Sequence, residues 1–331
     1  MASAPTTLLE AVQYFGVAEN CISYLAAKRW PNGKAVCPTC SSDRVSFLEK
    51  QGRWQCSSRH PKRQFSIKVG TIFEDSPLGL DKWLPAAWLI ANNRNGISSW
   101  ELSRALGVTQ KTAWFMLHRI RLAMQDDFTG GSLGGEVEVD ETFIGGKARN
   151  MHKNRKRKAQ AQGRNIGNKT IVLGMLERAS EGKPKRVRTS IISDRTKATM
   201  QPEIKAHIEK GATVHSDEFA SNWRMDDTFE HNLVEHLSTY VNGNCHTNGI
   251  ENFWSLLKRG VAGTYVSVEP FHLFRYVDEQ AFRFNNRKDA NGDIISDASR
   301  FDLAIAKIVG KRLTYKALTG KQEDARPEEA C

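Results

Sequence analysis

The sequence predicts an α/β (α+β) multidomain protein, in which helical and cysteine-rich modules precede a domain with a mixed sheet. Three observations support this fold class. The chain has 331 residues, and at roughly 150 residues per domain such a length allows two or three domains. Helix-like apolar spacing and paired cysteines lie before a glycine-rich segment at 130–135. After that segment the pattern changes to the period-two alternation of strands, mixed with helical stretches.

The balance of charge favours a polyanionic partner. Lys and Arg number 48 against 37 Asp and Glu, an excess that favours nucleic-acid binding. The longest nearly apolar run, residues 83–91, is much shorter than the roughly 20 residues that cross a bilayer, so no membrane partner is expected. The start of the chain does not resemble a secretory signal. Six cysteines in such a chain indicate reduced intracellular thiols or metal ligands rather than a disulfide scaffold.

The elements before the glycine-rich segment form two predicted domains. Residues 1–75 begin with helix-like spacing over 6–28, and a Trp-Pro-Asn-Gly turn at 30–33 ends that stretch. A cysteine-rich segment with short strand-like pieces follows at 36–72. The region from 80 to 124 has the strongest helical pattern of the chain, and it dominates the second predicted domain, residues 76–129.

Four residues of the first domain have the spacing of a zinc site, C-x2-C-x15-C-x3-H. Two tight pairs joined by a loop of this length bring four ligands into a tetrahedron, and four protein ligands leave no open position. We therefore expect one structural Zn²⁺ rather than a catalytic one. Unliganded cysteines in a small core are the alternative, which the paired spacing disfavours. The expected ligands are Cys37, Cys40, Cys56 and His60, of which His60 is the least specific.

The second domain contains a candidate helix-turn-helix. Ser98 and Glu101 form a capping-box pattern, Gly107 permits a tight turn, and Thr109 can cap the second helix. An ordinary helical hairpin with solvated charges is the alternative. In a DNA-binding arrangement the N-terminal end of the second helix would reach base edges, and basic residues farther along would face phosphates. The first group is Gln110, Lys111 and Thr112, and the second is His118, Arg119 and Arg121.

Beyond the glycine-rich segment, which is predicted to be a linker, strands and helices alternate. These elements make up the third predicted domain, residues 136–290, and residues 291–331 are expected to form a C-terminal helical extension and tail. Strand-like runs occur at 136–144, 170–176, 187–192 and 212–219, and helical patterns at 201–210 and 250–259.

The third domain carries three candidate ligands for divalent metals. Asp140 and Asp217 each end a predicted strand, and Glu251 lies one turn into a helix. Two Mg²⁺ ions about 3.5–4 Å apart need a few carboxylates on rigid elements, and these three can supply them if the two strands are neighbours. Solvated surface carboxylates are the default alternative. Lys258 falls on the same helical face as Glu251 and would face DNA, whereas Trp254 at the edge of that face can stack on a base or pack, with packing favoured.

A basic segment separates the first two strands of this domain. Residues 147–169 hold nine Lys or Arg and no acid. A solvated loop is one interpretation, and neutralisation of DNA phosphates beside the carboxylates is the favoured one. The most concentrated run is Arg155, Lys156, Arg157 and Lys158.

At these segments the sequence resembles a known family. Residues 246–260, HTNGIENFWSLLKRG, resemble the third catalytic segment of bacterial DDE transposases of the IS1595 group, in its ISXO2-like branch. Residues 137–147, VEVDETFIGGK, resemble that family's first-aspartate strand, and residues 215–219, HSDEF, resemble its second. The 33 residues between Asp217 and Glu251 fall within the usual range for such enzymes.

Upstream segments resemble the same family. They are residues 64–73 and 108–120, and the likeness extends from about residue 8 to residue 320. The resemblance implies a zinc-ribbon N-terminus and an RNase H-like catalytic domain. The set C-x3-H departs from the four-cysteine form common in zinc ribbons, which makes His60 the ligand to test.

The resemblance also implies chemistry at DNA ends: cleavage at terminal inverted repeats, followed by joining of the 3′-hydroxyl ends to target DNA. Asp140, Asp217 and Glu251 would hold two Mg²⁺ ions per active site, for which Mn²⁺ can substitute. The third ligand is Glu in some members and Asn in others, so Asn248 is the alternative to Glu251. Lys258, seven residues after Glu251, would fix a phosphate near the scissile bond.

The expected partners are double-stranded DNA of the terminal repeats and the target, and a second copy of the chain. Pairing two ends requires a homodimer or a higher oligomer, and the expected location is the bacterial cytoplasm, in association with the nucleoid. Two rival functions remain. One is a DNA-binding regulator with an inactive third domain, which the intact Asp140, Asp217 and Glu251 disfavour. The other is a metal-dependent nuclease without strand transfer.

Overall fold

The computed structural model divides into two units. One unit consists of Met1–Met124 with Ser296–Cys331, and the other of Gln125–Ile295. For Asp217, Leu233 and Val234 the description covers the backbone and not the side chain. The residues that the structure describes are 4–126, 130–145, 169–217, 229–234 and 246–320.

The first unit begins with two helices, α1 (Leu8–Phe15) and α2 (Ala18–Arg29). The sequence predicted helices here, from helix-like spacing over 6–28, without placing a break between them. The break occurs because Val17 adopts an extended backbone, with φ −101° and ψ 121°, as the residue that precedes α2. The start of α1 is fixed by a capping box, in which Thr7 and Glu10 each accept a hydrogen bond from the other's backbone N–H.

A small antiparallel sheet of three strands follows, and the strand at residues 53–56 lies in the middle. Trp54 of the middle strand packs against Trp30 and Phe65, at ring-centroid distances of 5.1 and 6.2 Å. This aromatic cluster supplies the apolar core that three such short strands could not form by themselves. The strands are β1 (Val45–Leu48), β2 (Arg53–Cys56) and β3 (Gln64–Phe65).

Three helices complete the N-terminal part of the first unit: α3 (Leu80–Asn92), α4 (Ser99–Leu106) and α5 (Gln110–Met124). Helix α3 is its central element, since Trp83 and Trp88 are both nearly fully buried. The capping box that the sequence predicts at Ser98 is present at the start of α4. Gly107, at φ 62°, adopts the left-handed conformation that ends α4 and allows the chain to turn into α5.

The second unit contains a mixed sheet of five strands: β4 (Glu136–Ile144), β5 (Thr170–Glu177), β6 (Arg186–Ile192), β7 (Thr213–Asp217) and β8 (Glu230–Val234). Their order across the sheet is β6-β5-β4-β7-β8. Strands β4, β5 and β6 pair antiparallel, whereas β7 runs parallel to both β4 and β8. The central strand is therefore β4. Strand β8 was not predicted from the sequence.

Alternate strand residues point to opposite faces of this sheet, so each face has its own side chains to bury. Helices pack against both faces. On one face the strands pack against α6 (Lys197–His207), which begins before the helix predicted at 201–210. On the other face they pack against α7 (Asn248–Gly260) and α8 (Leu273–Asn285). The α6 cluster includes Val137, Val139, Leu173, Met200 and Ile204, and the α7–α8 cluster includes Val172, Leu176, Phe253, Leu257 and Val277.

The glycine-rich segment is part of the second unit rather than a free linker, which corrects the sequence prediction. Leu133 is fully buried in the α6 cluster. Its N–H donates to the carbonyl of His207 at 2.8 Å, and its carbonyl accepts from the N–H of Glu209 at 2.8 Å. An apolar side chain between the glycines therefore anchors residues 130–135 to the end of α6.

The C-terminal helices α9 (Asp297–Ala306) and α10 (Tyr315–Leu318) belong to the first unit. Phe301 of α9 lies 5.6 Å from Phe15 and 5.1 Å from Trp88, measured between ring centroids. The residues predicted as a C-terminal extension thus supply part of the N-terminal core. Among the described residues, no helix has the length and apolar character that a membrane crossing requires.

Helix α7 approaches the sheet most closely at Gly174 of β5. A Cβ atom at this position would lie 2.6 Å from two ring carbons of Trp254 and 2.8 Å from Ile250 Cδ1. The absence of a side chain therefore sets how near the helix lies to the sheet.

We predict that Gly174→Ala destabilises the second unit, because the buried indole of Trp254 has no room to move away. Overpacking of this kind costs about 1–3 kcal/mol, which urea unfolding would measure. Gly263→Ala is the control, since a Cβ there meets no atom within 4 Å. Equal stability of the two variants would contradict the close approach.

Candidate functional site

The two candidate aspartates lie on neighbouring strands. Strand β7 runs parallel to β4, and the paired residues run from Glu136 with Thr213 to Glu138 with His215. Extending this register by two residues aligns Asp217 with Asp140. The sheet thus meets the condition set by the sequence, that the strands of the two aspartates be adjacent.

The carboxylate of Asp140 is held by two hydrogen bonds. Its Oδ2 accepts from Trp254 Nε1 at 2.8 Å, and its Oδ1 accepts from the backbone N–H of Glu141 at 2.8 Å. A carboxylate oxygen can accept more than one such bond. Carboxylates that ligate metals are commonly oriented by neighbouring donors in this way. The chemistry of Asp140 therefore fits a ligand for a hard divalent cation.

Trp254 packs rather than offering its ring to a base. Its side chain is 4% exposed, and the ring lies over Gly174 while its N–H donates to Asp140. The structure thus agrees with the packing interpretation. It also gives the residue a polar contact with a candidate metal ligand, which the sequence alone did not reveal.

Glu251 lies on α7 three residues before Trp254, and residues with this spacing are neighbours on a helix surface. It is exposed, and its Oε1 accepts a hydrogen bond from Thr247 Oγ1 at 3.1 Å. Asn248 is also exposed, one turn earlier. Lys258 is exposed in the last turn of α7, as its proposed contact with DNA requires.

Two charged residues beside this site, Glu138 and Arg178, were not predicted from the sequence. Glu138 of β4 is buried and forms an ion pair with Arg178, with 2.8 Å between Oε1 and Nε. The alternation of Glu136, Glu138 and Asp140 along β4 gave a signal, because it places three acids on the strand face that packs against α7.

The predicted zinc ligands converge. One ligand atom from each of Cys37, Cys40, Cys56 and His60 lies within 4.8 Å of all the others. The Sγ of Cys37 is 3.5 Å from Nε2 of His60, and the Sγ atoms of Cys40 and Cys56 are 3.6 Å apart. Zinc bonds of about 2.0–2.3 Å in a tetrahedron place ligand atoms roughly 3.3–3.8 Å apart. The donor set therefore fits a closed, structural zinc site.

Local hydrogen bonds prepare two of these ligands. Nδ1 of His60 lies 2.7 Å from the carbonyl of Pro61, which favours a proton on Nδ1 and leaves Nε2 free to ligate. Burial opposes ionisation of Cys56, but hydrogen bonds from His60 and the Ser58 backbone outweigh it and lower the pKa of the thiol to about 6. A thiolate is the form that binds zinc.

At the start of α5 the structure places the residues proposed to contact bases. Gln110 donates from Nε2 to Ser99 Oγ at 2.8 Å, so this side chain also links α5 to α4. The backbone N–H of Thr112 donates to Thr109 Oγ1 at 3.2 Å, which caps the helix. Lys111 is exposed, with its Nζ 4.7 Å from the ring centroid of Tyr315.

The expectation that His118, Arg119 and Arg121 face phosphates is corrected by the structure. These side chains are 0%, 3% and 1% exposed, because α5 is buried on all sides at this point, where residues 116–121 are all buried. Arg119 donates to the backbone carbonyl of Glu74 and stacks near Trp83, 5.4 Å from its ring centroid. Burial lowers the pKa of Arg119 to about 10. A guanidinium buried in this way is not exposed for contact with a phosphate.

The remaining basic residues proposed for DNA binding stay a prediction. Arg155, Lys156, Arg157 and Lys158 lie outside the described residues.

Comparison with known proteins identifies two domains. Residues 132–285 match the ISXO2-like transposase domain, a span that includes Asp140, Asp217 and Glu251. Residues 18–58 match the transposase zinc-ribbon domain, with three of the four predicted zinc ligands. Both matches confirm the resemblance to the IS1595 group.

Two relatives carry related names. A protein of Halobacterium salinarum, described as an uncharacterized protein in transposable element ISH50, is 28% identical over 250 residues, which cover 71% of this chain and 80% of the relative. An uncharacterized transposase-like protein of Haemophilus influenzae is 28% identical over 102 residues, which cover 30% of this chain and 82% of that protein.

The assignment of a structural zinc site predicts the metal content of the protein and of its cysteine variants. Freshly purified protein should contain one zinc per chain, and Cys37→Ser or Cys56→Ser should remove it, because each variant loses a thiolate. Elemental analysis measures this.

Cys21→Ser is the matched control, since Cys21 is buried in α2, where its thiol donates to the carbonyl of Phe15 at 3.1 Å. Wild-type protein without zinc would contradict the assignment. Full occupancy in His60→Ala would place the fourth ligand elsewhere.

Proposed function

We propose, on the premise that residues 132–285 form an ISXO2-like transposase domain, that the protein is a DDE transposase acting at the ends of an insertion sequence. It binds terminal inverted repeats, cleaves DNA at the element ends and joins the 3′-hydroxyl ends to target DNA. The observation that carries this proposal is the arrangement of Asp140, Asp217 and Glu251: two aspartates on adjacent parallel strands and a glutamate on the helix that contacts Asp140.

The sheet supports an RNase H-like assignment for this domain. Its first three strands form an antiparallel meander, and two parallel strands extend it beside β4. The candidate carboxylates belong to the central strand, its parallel neighbour and a covering helix. Such rigid elements hold metal ligands more accurately than loops do.

In this proposal Asp140, Asp217 and Glu251 hold two Mg²⁺ ions, for which Mn²⁺ can substitute. Mg²⁺ held by these residues would activate the attacking oxygen and stabilise the leaving oxygen of an in-line displacement. Water attacks the phosphate at the element end, the P–O bond to the 3′ oxygen breaks, and a 3′-hydroxyl is released. That hydroxyl then attacks a target phosphate, so one P–O bond forms as another breaks.

Residues of this chain orient the reacting groups. Trp254 holds the Asp140 carboxylate through its N–H, and Thr247 donates to Glu251. Lys258, exposed in the last turn of α7, neutralises a phosphate of the bound DNA. Asn248 is the alternative third ligand, one turn before Glu251.

DNA binding is proposed to involve both units. In the first unit, Gln110, Lys111 and Thr112 at the start of α5 contact base edges, as the second helix of a helix-turn-helix. In the second unit, the run from Arg155 to Lys158 contacts phosphates without reading sequence. Synapsis of two element ends requires at least a dimer, and the reaction takes place in the cytoplasm at the bacterial nucleoid.

The catalytic prediction concerns three substitutions, each of which removes one negative charge from the proposed metal site. Asp140→Asn, Asp217→Asn and Glu251→Gln should each reduce cleavage and strand transfer to background, while DNA binding survives, because the charge that holds the ions is lost. Labelled terminal-repeat DNA with Mg²⁺ measures both steps.

Glu269→Gln, at an exposed carboxylate of the second unit, is the control and should remain active. Full activity of Glu251→Gln with an inactive Asn248→Ala would reassign the third ligand. Specific binding without cleavage by wild-type protein would favour the regulator, and cleavage without joining would favour the nuclease.

A second prediction concerns recognition of the ends. Lys111→Ala and Gln110→Ala should weaken binding to terminal repeats more than binding to random DNA, since contacts to base edges discriminate sequence at about 1–3 kcal/mol each. Neutralising Arg155 to Lys158 should weaken both alike and flatten the salt dependence. Equal losses on both DNAs for Gln110→Ala would move recognition away from α5.

A further inference from the structure

A buried carboxylate lies two residues before Asp140 on the same face of β4. Glu138 is 1% exposed. Burying a carboxylate is unfavourable unless hydrogen bonds and an opposite charge compensate. Its partners therefore show what it does in the fold.

Both oxygens of Glu138 are engaged. Oε1 accepts from Arg178 Nε at 2.8 Å, and Oε2 accepts from the backbone N–H of Ile250 at 2.8 Å. Ile250 is the third residue of α7, and the first N–H groups of a helix have no partner within it. The N-cap residue Thr247 forms no side-chain capping bond. Glu138 thus caps α7 from the sheet, where its negative charge also favours the helix N-terminus.

Arg178 extends this attachment to the residue that leads into α7. Its guanidinium donates from Nη1 to Glu136 at 2.6 Å and from Nη2 to the backbone carbonyl of His246. The planar, five-donor guanidinium suits such simultaneous contacts. Gly249 permits the close approach, since a Cβ there would lie 2.8 Å from Oε2 of Glu138.

Hydrogen bonds consequently join helix α7 to β4 at two points. Glu138 binds the N–H of Ile250, and Asp140 binds the indole of Trp254, one turn later. Two contacts fix both the height and the rotation of the helix. Along the sequence of α7, Glu251 lies between Ile250 and Trp254, the two residues that make these contacts.

We propose that Glu138 is a positioning residue for the reaction, which holds the first turn of α7 so that Glu251 faces Asp140. The catalytic part of this inference rests on the proposed function. A direct role for Glu138 as a metal ligand is disfavoured, because both of its oxygens are occupied and its side chain is buried.

The test compares Glu138→Gln with a matched control, Glu177→Gln. Glu177 is also a buried carboxylate, 4% exposed, that pairs with an arginine, Arg186 at 3.1 Å, and accepts a backbone N–H, that of Gly134 at 3.0 Å. Neither of these two interactions of Glu177 involves a residue of α7. The two variants therefore lose similar interactions at different places.

In Glu138→Gln we expect turnover at saturating DNA to fall about 10–100-fold and the Mg²⁺ concentration for half-maximal activity to rise about tenfold, as for loss of a residue that orients metal ligands. The Kd for DNA should stay unchanged. Glu177→Gln should keep the wild-type Mg²⁺ requirement. An unchanged Mg²⁺ requirement in folded Glu138→Gln, or an equal shift in both variants, would overturn the proposal.

A second measurement does not depend on activity. Amide hydrogen exchange of Ile250 and Glu251, followed by mass spectrometry, should accelerate at least about tenfold in Glu138→Ala relative to Glu177→Ala, because the cap is lost. If the wild-type protein cleaves no DNA while this difference appears, the proposed function fails and the attachment of α7 stands. Equal exchange in the two variants would overturn the role of Glu138.

Gly249→Ala supplies a variant that keeps every charge. Alanine favours helices, so α7 alone would gain stability, but the added methyl would displace the Glu138 carboxylate. We expect a raised Mg²⁺ requirement here too, with no further rise when Glu138→Gln is added. Independent, multiplicative effects of the two changes would contradict a shared mechanism.

Discussion

Where α7 packs against β4, hydrogen bonds to buried and half-buried carboxylates add to the apolar contacts between the helix and the sheet. The carboxylates of Glu138 and Asp140 each accept a hydrogen bond from α7, through the N–H of Ile250 and the indole of Trp254. Apolar packing can slide, whereas hydrogen bonds to charged groups are directional and strong. In the proposed mechanism this attachment sets the position of Glu251, on which binding of the metal ions depends.

Two glycines make the attachment possible, because α7 lies too close to the sheet for side chains at Gly174 and Gly249. The zinc site follows a different principle. Its four ligands lie in the segment 37–40, before β1, and in the segment 56–60, which starts at the end of β2. Bound metal would join these two segments and add to the stability of the small sheet.

The parts of the fold with strong local signals could be predicted from sequence. The alternation of β4, the capping box at Ser98 and the cysteine spacing are of this kind. Strand β8 was missed, because EHNLV lacks alternation and becomes a strand by pairing with β7. Arg119 was misplaced, since its burial depends on Glu74 and Trp83, which are distant in sequence. The pairing of Glu138 with Arg178 likewise follows from the register of β4 and β5.

The most direct test of the account is a crystal structure of the protein soaked in Mn²⁺, with anomalous scattering to locate the ions. The account predicts metal bound by Asp140, Asp217 and Glu251, with the indole of Trp254 still donating to Asp140 and the Glu138 carboxylate on the N–H of Ile250. Manganese held away from Asp140, or reached by Asn248 with α7 detached from Glu138, would contradict it.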